Sequence, residues 1–100
     1  MTDESYLSTE DAKALYKALQ SIKTDEECKD FLRDLLTEQE IKEYINRWKA
    51  VRMLDMKVPY EDITKITGMS STTVARISKW LQKGTGGYSL ILRRIRKKLK

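Results

Sequence analysis

The chain has no histidine, one cysteine and one proline among its 100 residues. Without histidine it lacks the commonest general base and the commonest nitrogen ligand for a metal ion. Its one cysteine, Cys28, cannot form an internal disulfide, which suits a reducing compartment. With scattered carboxylates around it, that thiol offers no metal-ligand spacing. Cys28 falls on an apolar stripe and is expected in the core. No apolar run approaches the roughly 20 residues of a membrane-spanning helix. The opening MTDESYLSTEDAKALY has neither the basic nor the apolar region of a secretory signal. Period-two alternation, the mark of a half-buried strand, is also missing. The glycine-rich KGTGGYS has no strand before it and no lysine–hydroxyl ending, so it reads as a hinge rather than a phosphate loop. These absences argue against an enzyme, a cofactor, a metal centre and a membrane partner. They leave a cytoplasmic, all-α protein of one domain spanning residues 1–100.

Charge is abundant and unevenly placed. Residues 1–43 carry twelve acids and six bases, whereas residues 44–100 carry three acids and fourteen bases. A net of −6 is thus followed by a net of +11. The basic half is expected to face a polyanion, and nucleic acid is the partner it suits best. The terminal RRIRKKLK has a second explanation, because cations also favour the C-terminal end of a helix dipole.

Helical stripes fill the chain. Ala12, Leu15, Tyr16, Leu19 and Ile22 recur at helical spacing, with Ser8 as a candidate cap. Cys28, Phe31, Leu32, Leu35 and Leu36 form a second stripe behind Thr24 and Glu27, a capping box. Thr37 and Glu40 make a similar box before Ile41, Tyr44, Ile45, Trp48 and Val51. Three helices therefore occupy residues 8–56. Pro59 ends the third and suits the first position of a short fourth, running to about Thr67. Gly68 supplies a left-handed turn. A fifth helix starts at Ser70 or Ser71 and buries Val74, Ile77 and Leu81. A sixth, over 88–99, lines up Tyr88, Ile91, Leu92, Ile95 and Leu99 on one face.

Residues 59–81 have the spacing of a helix-turn-helix. Ile63, Met69, Val74 and Ile77 supply the shared apolar core, and Thr64 stands where a small residue lets two helices approach. Thr67 departs from the pattern, since an apolar residue is more usual there. The start of a recognition helix faces base edges. Ser70, Ser71, Thr72 and Thr73 place short hydrogen-bonding groups there. Capping accounts for one hydroxyl, not four. Arg76 and Lys79 follow within reach of phosphates or guanine edges. Arg47, Lys49, Arg52 and Lys57 add positive charge just ahead of the motif.

The segments LLT, NRWKAV and PYEDITKITGMSSTTVARI resemble the Trp repressor superfamily, and more closely its TrpR-like YerC/YecD branch. The resemblance spans about residues 8–100. It implies six helices and an intertwined homodimer, with 8–56 and 88–99 building a shared core. It also implies two helix-turn-helix heads entering successive major grooves of double-stranded DNA. In that family an indole corepressor sits between the third and fifth helices, near two arginines that match Arg47 and Arg76 and a threonine that matches Thr37. Ile77 stands where the family has a glycine, and Trp80 where it has a small serine. The resemblance thus implies a degenerate pocket at Thr37, Arg47, Arg76, Ile77 and Trp80, filled by Ile77 together with Trp80, or by Ile77 alone where Trp80 points to solvent. Arg47 and Arg76 are then expected to pair with acids or phosphates. The expected function is a sequence-specific transcriptional regulator that does not use tryptophan as a corepressor. A regulator gated by tryptophan or another small molecule, and a non-operator interaction or RNA-binding protein, are the other classes left open.

Overall fold

The computed structural model describes residues 3–98. A 3-10 turn over Ser5–Ser8 precedes six α-helices: α1 (Glu10–Gln20), α2 (Asp25–Leu35), α3 (Glu38–Asp55), α4 (Tyr60–Thr67), α5 (Ser71–Lys83) and α6 (Gly87–Lys98). No strand occurs among the described residues. The all-α, six-helix expectation is met. Leu99, expected on the last apolar face, lies outside the described residues.

Helix ends follow local chemistry. Thr9, not Ser8, caps α1, its Oγ1 accepting from the Ala12 N–H at 3.0 Å. Ser8 is instead taken up by the 3-10 turn. Thr24 Oγ1 accepts from the Glu27 N–H at 3.1 Å, and Glu27 Oε1 reaches back to the Lys23 N–H at 2.9 Å. Pro59 is the cap of α4 rather than its first residue, with extended backbone at ψ 145°. A proline there preserves a carbonyl that accepts from the N–H groups of Asp62 and Ile63.

The chain divides into two compact units, one up to Glu38 and one from Gln39 onward. In the first, the 3-10 turn packs on α1, and Tyr16 Oη donates to the Leu7 carbonyl at 2.7 Å. Neither α1 nor α2 holds a buried residue. Leu15, Leu19 and Leu35 are exposed, and so is Cys28, which corrects its assignment to the core. Amphipathic helices this short find little stability without a surface to cover their apolar faces.

The second unit has a core. Ala50, Val51, Met53 and Leu54 of α3 meet Ile63 of α4, Val74 and Ile77 of α5, and Leu92 of α6. Val51, Ile63 and Val74 are fully enclosed, each contributing about 1.5–3 kcal/mol of burial. The end of α3 turns sharply: Lys57 adopts φ 65°, its N–H bonding the Leu54 carbonyl while the Val58 N–H bonds that of Met53. This paired closure satisfies two carbonyls of the helix end and directs the chain into α4. Arg96 on α6 donates to Asp55 at the end of α3.

Candidate nucleic-acid interface and the hollow beside it

The α4–α5 turn is held from three directions. Gly68 sits at φ 76°, ψ 4°, and its N–H bonds the Thr64 carbonyl at 2.9 Å. Gly68 meets nothing within 4 Å where a Cβ would stand, so its value is conformational, not spatial. Thr67 Oγ1 donates to the Ile63 carbonyl at 2.7 Å and accepts from the Met69 N–H at 3.2 Å. Asn46 Nδ2 on α3 donates to the Thr67 carbonyl at 2.8 Å. The hydroxyl at Thr67, out of place for the motif's apolar pattern, closes the turn in a way no hydrocarbon side chain could. Below the turn Ile63, Val74 and Ile77 are buried and Met69 half-buried, as the spacing predicts.

The hydroxyl cluster splits into two pairs with different tasks. Ser70 caps α5, its Oγ accepting from the Thr73 N–H at 3.1 Å and donating to Thr73 Oγ1 at 3.0 Å. Ser70 and Thr73 are therefore committed to the helix start. Ser71 and Thr72 are exposed and make no internal hydrogen bond among the described residues. Arg76 and Lys79 are also exposed.

Sequence reasoning missed the clasp behind the recognition helix. Ser78 is 4% exposed, the one buried polar side chain among the described residues. Its Oγ accepts from Tyr60 Oη at 2.6 Å and from Gln82 Nε2 at 2.9 Å. That ties the first residue of α4 to the middle of α5. A small polar residue on the Val74–Ile77–Leu81 stripe is the available signal, since a buried hydroxyl needs a partner.

Between α3, α5 and α6 lies a hollow of about 670 Å³. Arg47 and Trp48 line it from α3, Thr73, Arg76, Ile77 and Trp80 from α5, and Tyr88 and Ile91 from α6. The Trp48 and Tyr88 rings are 6.1 Å apart at 45°. Thr37 belongs to the first unit and is not among the lining residues. The expected filling of this space by Ile77 and Trp80 is incomplete. Ile77 packs into the core at 6% exposed, while Trp80 is 51% exposed and stands as a wall. Gly84 fixes that wall, because a Cβ there would lie 2.6 Å from Trp80 Cε3. Of the acids or phosphates expected to pair with Arg47 and Arg76, no acid does so: neither arginine forms an ion pair among the described residues, which leaves phosphate as the expected partner. Two exposed guanidiniums therefore face an aromatic-walled hollow at the flank of α5.

Two short helices joined at a left-handed glycine, capped by serine and fastened to a longer helix, define a helix-turn-helix protein. The model of the family described as Trp repressor protein matches residues 10–96, and the chain belongs to that family. It is 34% identical over 82 residues to the YerC protein of Bacillus subtilis strain 168, covering 82% of this chain and 79% of that one. Among solved structures it is similar to a TrpR-like protein from Eubacterium eligens ATCC 27750, at 32% identity and a TM-score of 0.85, over 92% of this chain and 95% of that one. It is equally similar in fold to a candidate Trp repressor from Staphylococcus aureus, at 28% identity and a TM-score of 0.85, over 96% of both chains. Proteins of this family are helix-turn-helix DNA-binding regulators that work as dimers, not enzymes. Among the described residues no helix is long and apolar enough to cross a membrane.

Proposed function

We propose that this protein is a sequence-specific transcriptional regulator that binds double-stranded DNA as a homodimer through α4 and α5, without tryptophan as corepressor. One observation carries the reading. Ser71 and Thr72 stand exposed, with no internal partner, at the start of a helix whose turn is fastened by Asn46, Thr67 and Ser70. Donors and acceptors on a fixed scaffold are what base-edge readout needs. Arg76 and Lys79 supply phosphate or guanine contacts. Selection from random duplexes is the test. Replacing Ser71 or Thr72 by a bulky residue changes the preferred site, with a cost of about 1–3 kcal/mol for each base no longer read. Replacing Lys79 weakens all duplexes alike and flattens the salt dependence by about one unit. Identical preferred sites for the wild type and the Ser71 and Thr72 variants would overturn the reading. A chain preferring RNA would move it to another class.

The case against tryptophan control rests on Ile77 and Trp80 standing where the resemblance implies a glycine and a small serine, although the hollow beside them stays open. The hollow itself favours a second reading. Arg47 and Arg76 with Trp48, Trp80 and Tyr88 around them suit a small anion with an apolar or aromatic body. Calorimetry separates the two. No binding of L-tryptophan is expected below about 1 mM, a threshold of roughly 4 kcal/mol. Binding below it establishes the effector-gated reading instead.

A further inference from the structure

We propose that the last two turns of α6 form a phosphate clamp, gripping the DNA backbone outside the segment read by α5; the proposal rests on the DNA-binding reading above. The residues Arg93, Arg94, Arg96, Lys97 and Lys98 crowd five cations into six positions, and α6 contains no acid. One of the five has an internal role, Arg96, which is held by Asp55. Arg93, Arg94, Lys97 and Lys98 are exposed, with no carboxylate within ion-pair distance among the described residues.

The helix does not need so much charge. A helix C-terminus presents roughly half a negative charge, which one or two cations offset. Beyond that, Arg93 opposes Lys97 and Arg94 opposes Lys98 four residues apart, and like pairs at that spacing destabilise a helix. The surplus is self-repelling in the free protein and is relieved by a polyanion. A basic amphipathic helix also suits an anionic membrane surface, but here the helix is docked. Leu92 is buried in the core and Arg96 is tied to α3, which docks the helix on the protein, while Ile91 and Ile95 of the same apolar face stay exposed. Beside those two isoleucines the outward surface is cationic, on the same unit as α5. Backbone phosphate is the ligand for such a surface.

The test uses the full chain carrying Arg93→Gln, Arg94→Gln and Lys97→Gln together, leaving Arg96 in place. Binding to a random-sequence duplex is followed by fluorescence anisotropy across a salt series, and site preference is measured by selection. The slope of log affinity against log salt is expected to become shallower by about 2–3 per chain, at about 0.9 for each phosphate no longer neutralised. Preferred sites stay the same, and the melting temperature holds or rises. An unchanged slope with a lowered melting temperature assigns these cations to helix capping and overturns the clamp. Tighter wild-type binding to phosphatidylglycerol vesicles than to duplex, abolished in the variant, overturns it in favour of a membrane. A wild type that shows no preferred site, with a slope still flattened by the substitutions, sinks operator reading and leaves the clamp standing. A wild type that ignores every duplex overturns both.

Discussion

The residues before Gln39 and those after it are both built from amphipathic helices, yet their apolar faces meet different fates. α1 and α2 bury nothing, and Leu15, Leu19 and Leu35 remain 39%, 45% and 50% exposed. From Gln39 onward the same kind of stripe closes on a shared core at Val51, Ile63 and Val74. The charges differ in parallel, acidic before Tyr44 and basic after it. The unit from Gln39 onward therefore has a core of its own, while α1 and α2 leave their leucines largely exposed. Apolar stripes of this length call for a second surface. A second copy of the chain supplies one in the proposed dimer.

The largest effect that would break the comparison lies in the first region. Replacing Leu15 and Leu19 by alanine removes little if those faces stay in water, within about 0.5 kcal/mol each. If a second copy buries them, each substitution costs about 2–5 kcal/mol and drives dissociation. Denaturation at several protein concentrations with sedimentation distinguishes the two, and the large loss is the expected result. For the wild type, a midpoint that rises with protein concentration is expected. The second prediction concerns the region with its own core. Ile63→Ala opens a void between α4 and α5 and is expected to cost about 2–5 kcal/mol, with loss of specific DNA binding. Unlike the leucine pair, its effect survives under conditions that dissociate the dimer. The smallest effect sharpens the description of the head. Ser78→Ala removes the acceptor shared by Tyr60 and Gln82, for an expected loss of about 1–2 kcal/mol. Hydrogen exchange should report it as faster opening at the start of α4, with preferred DNA sites unchanged.

Where sequence and structure part, the cause is shared. Cys28 sits on a proper apolar stripe, but a stripe says which face is apolar and not what covers it. Arg47 and Arg76 are expected to pair with acids or phosphates, and the acid partner is the one the fold withholds from both among the described residues. Position and size together assign Ile77 to the corepressor space and leave Trp80 either beside it or turned to solvent. Rotation about α5 sends Ile77 into the core and leaves Trp80 over Gly84, so volume does not decide whether the hollow closes.

By itself the sequence determined the six helices, the caps at Thr24 and Ser70 and the turn at Gly68, because each depends on residues within about one helical turn of one another. For the same reason the spacing points to a helix-turn-helix at 59–81, where the structure has α4 and α5. Tertiary structure decided which side chains have partners. Asn46 reaches Thr67 across 21 positions, Tyr60 reaches Ser78 across 18, and Arg96 reaches Asp55 across 41. It also gathered Arg47, Arg76, Trp80 and Tyr88 around one hollow. A local pattern repeats every few residues and is written along the chain. A contact between helices depends on their rotation and crossing, which no short window of sequence contains.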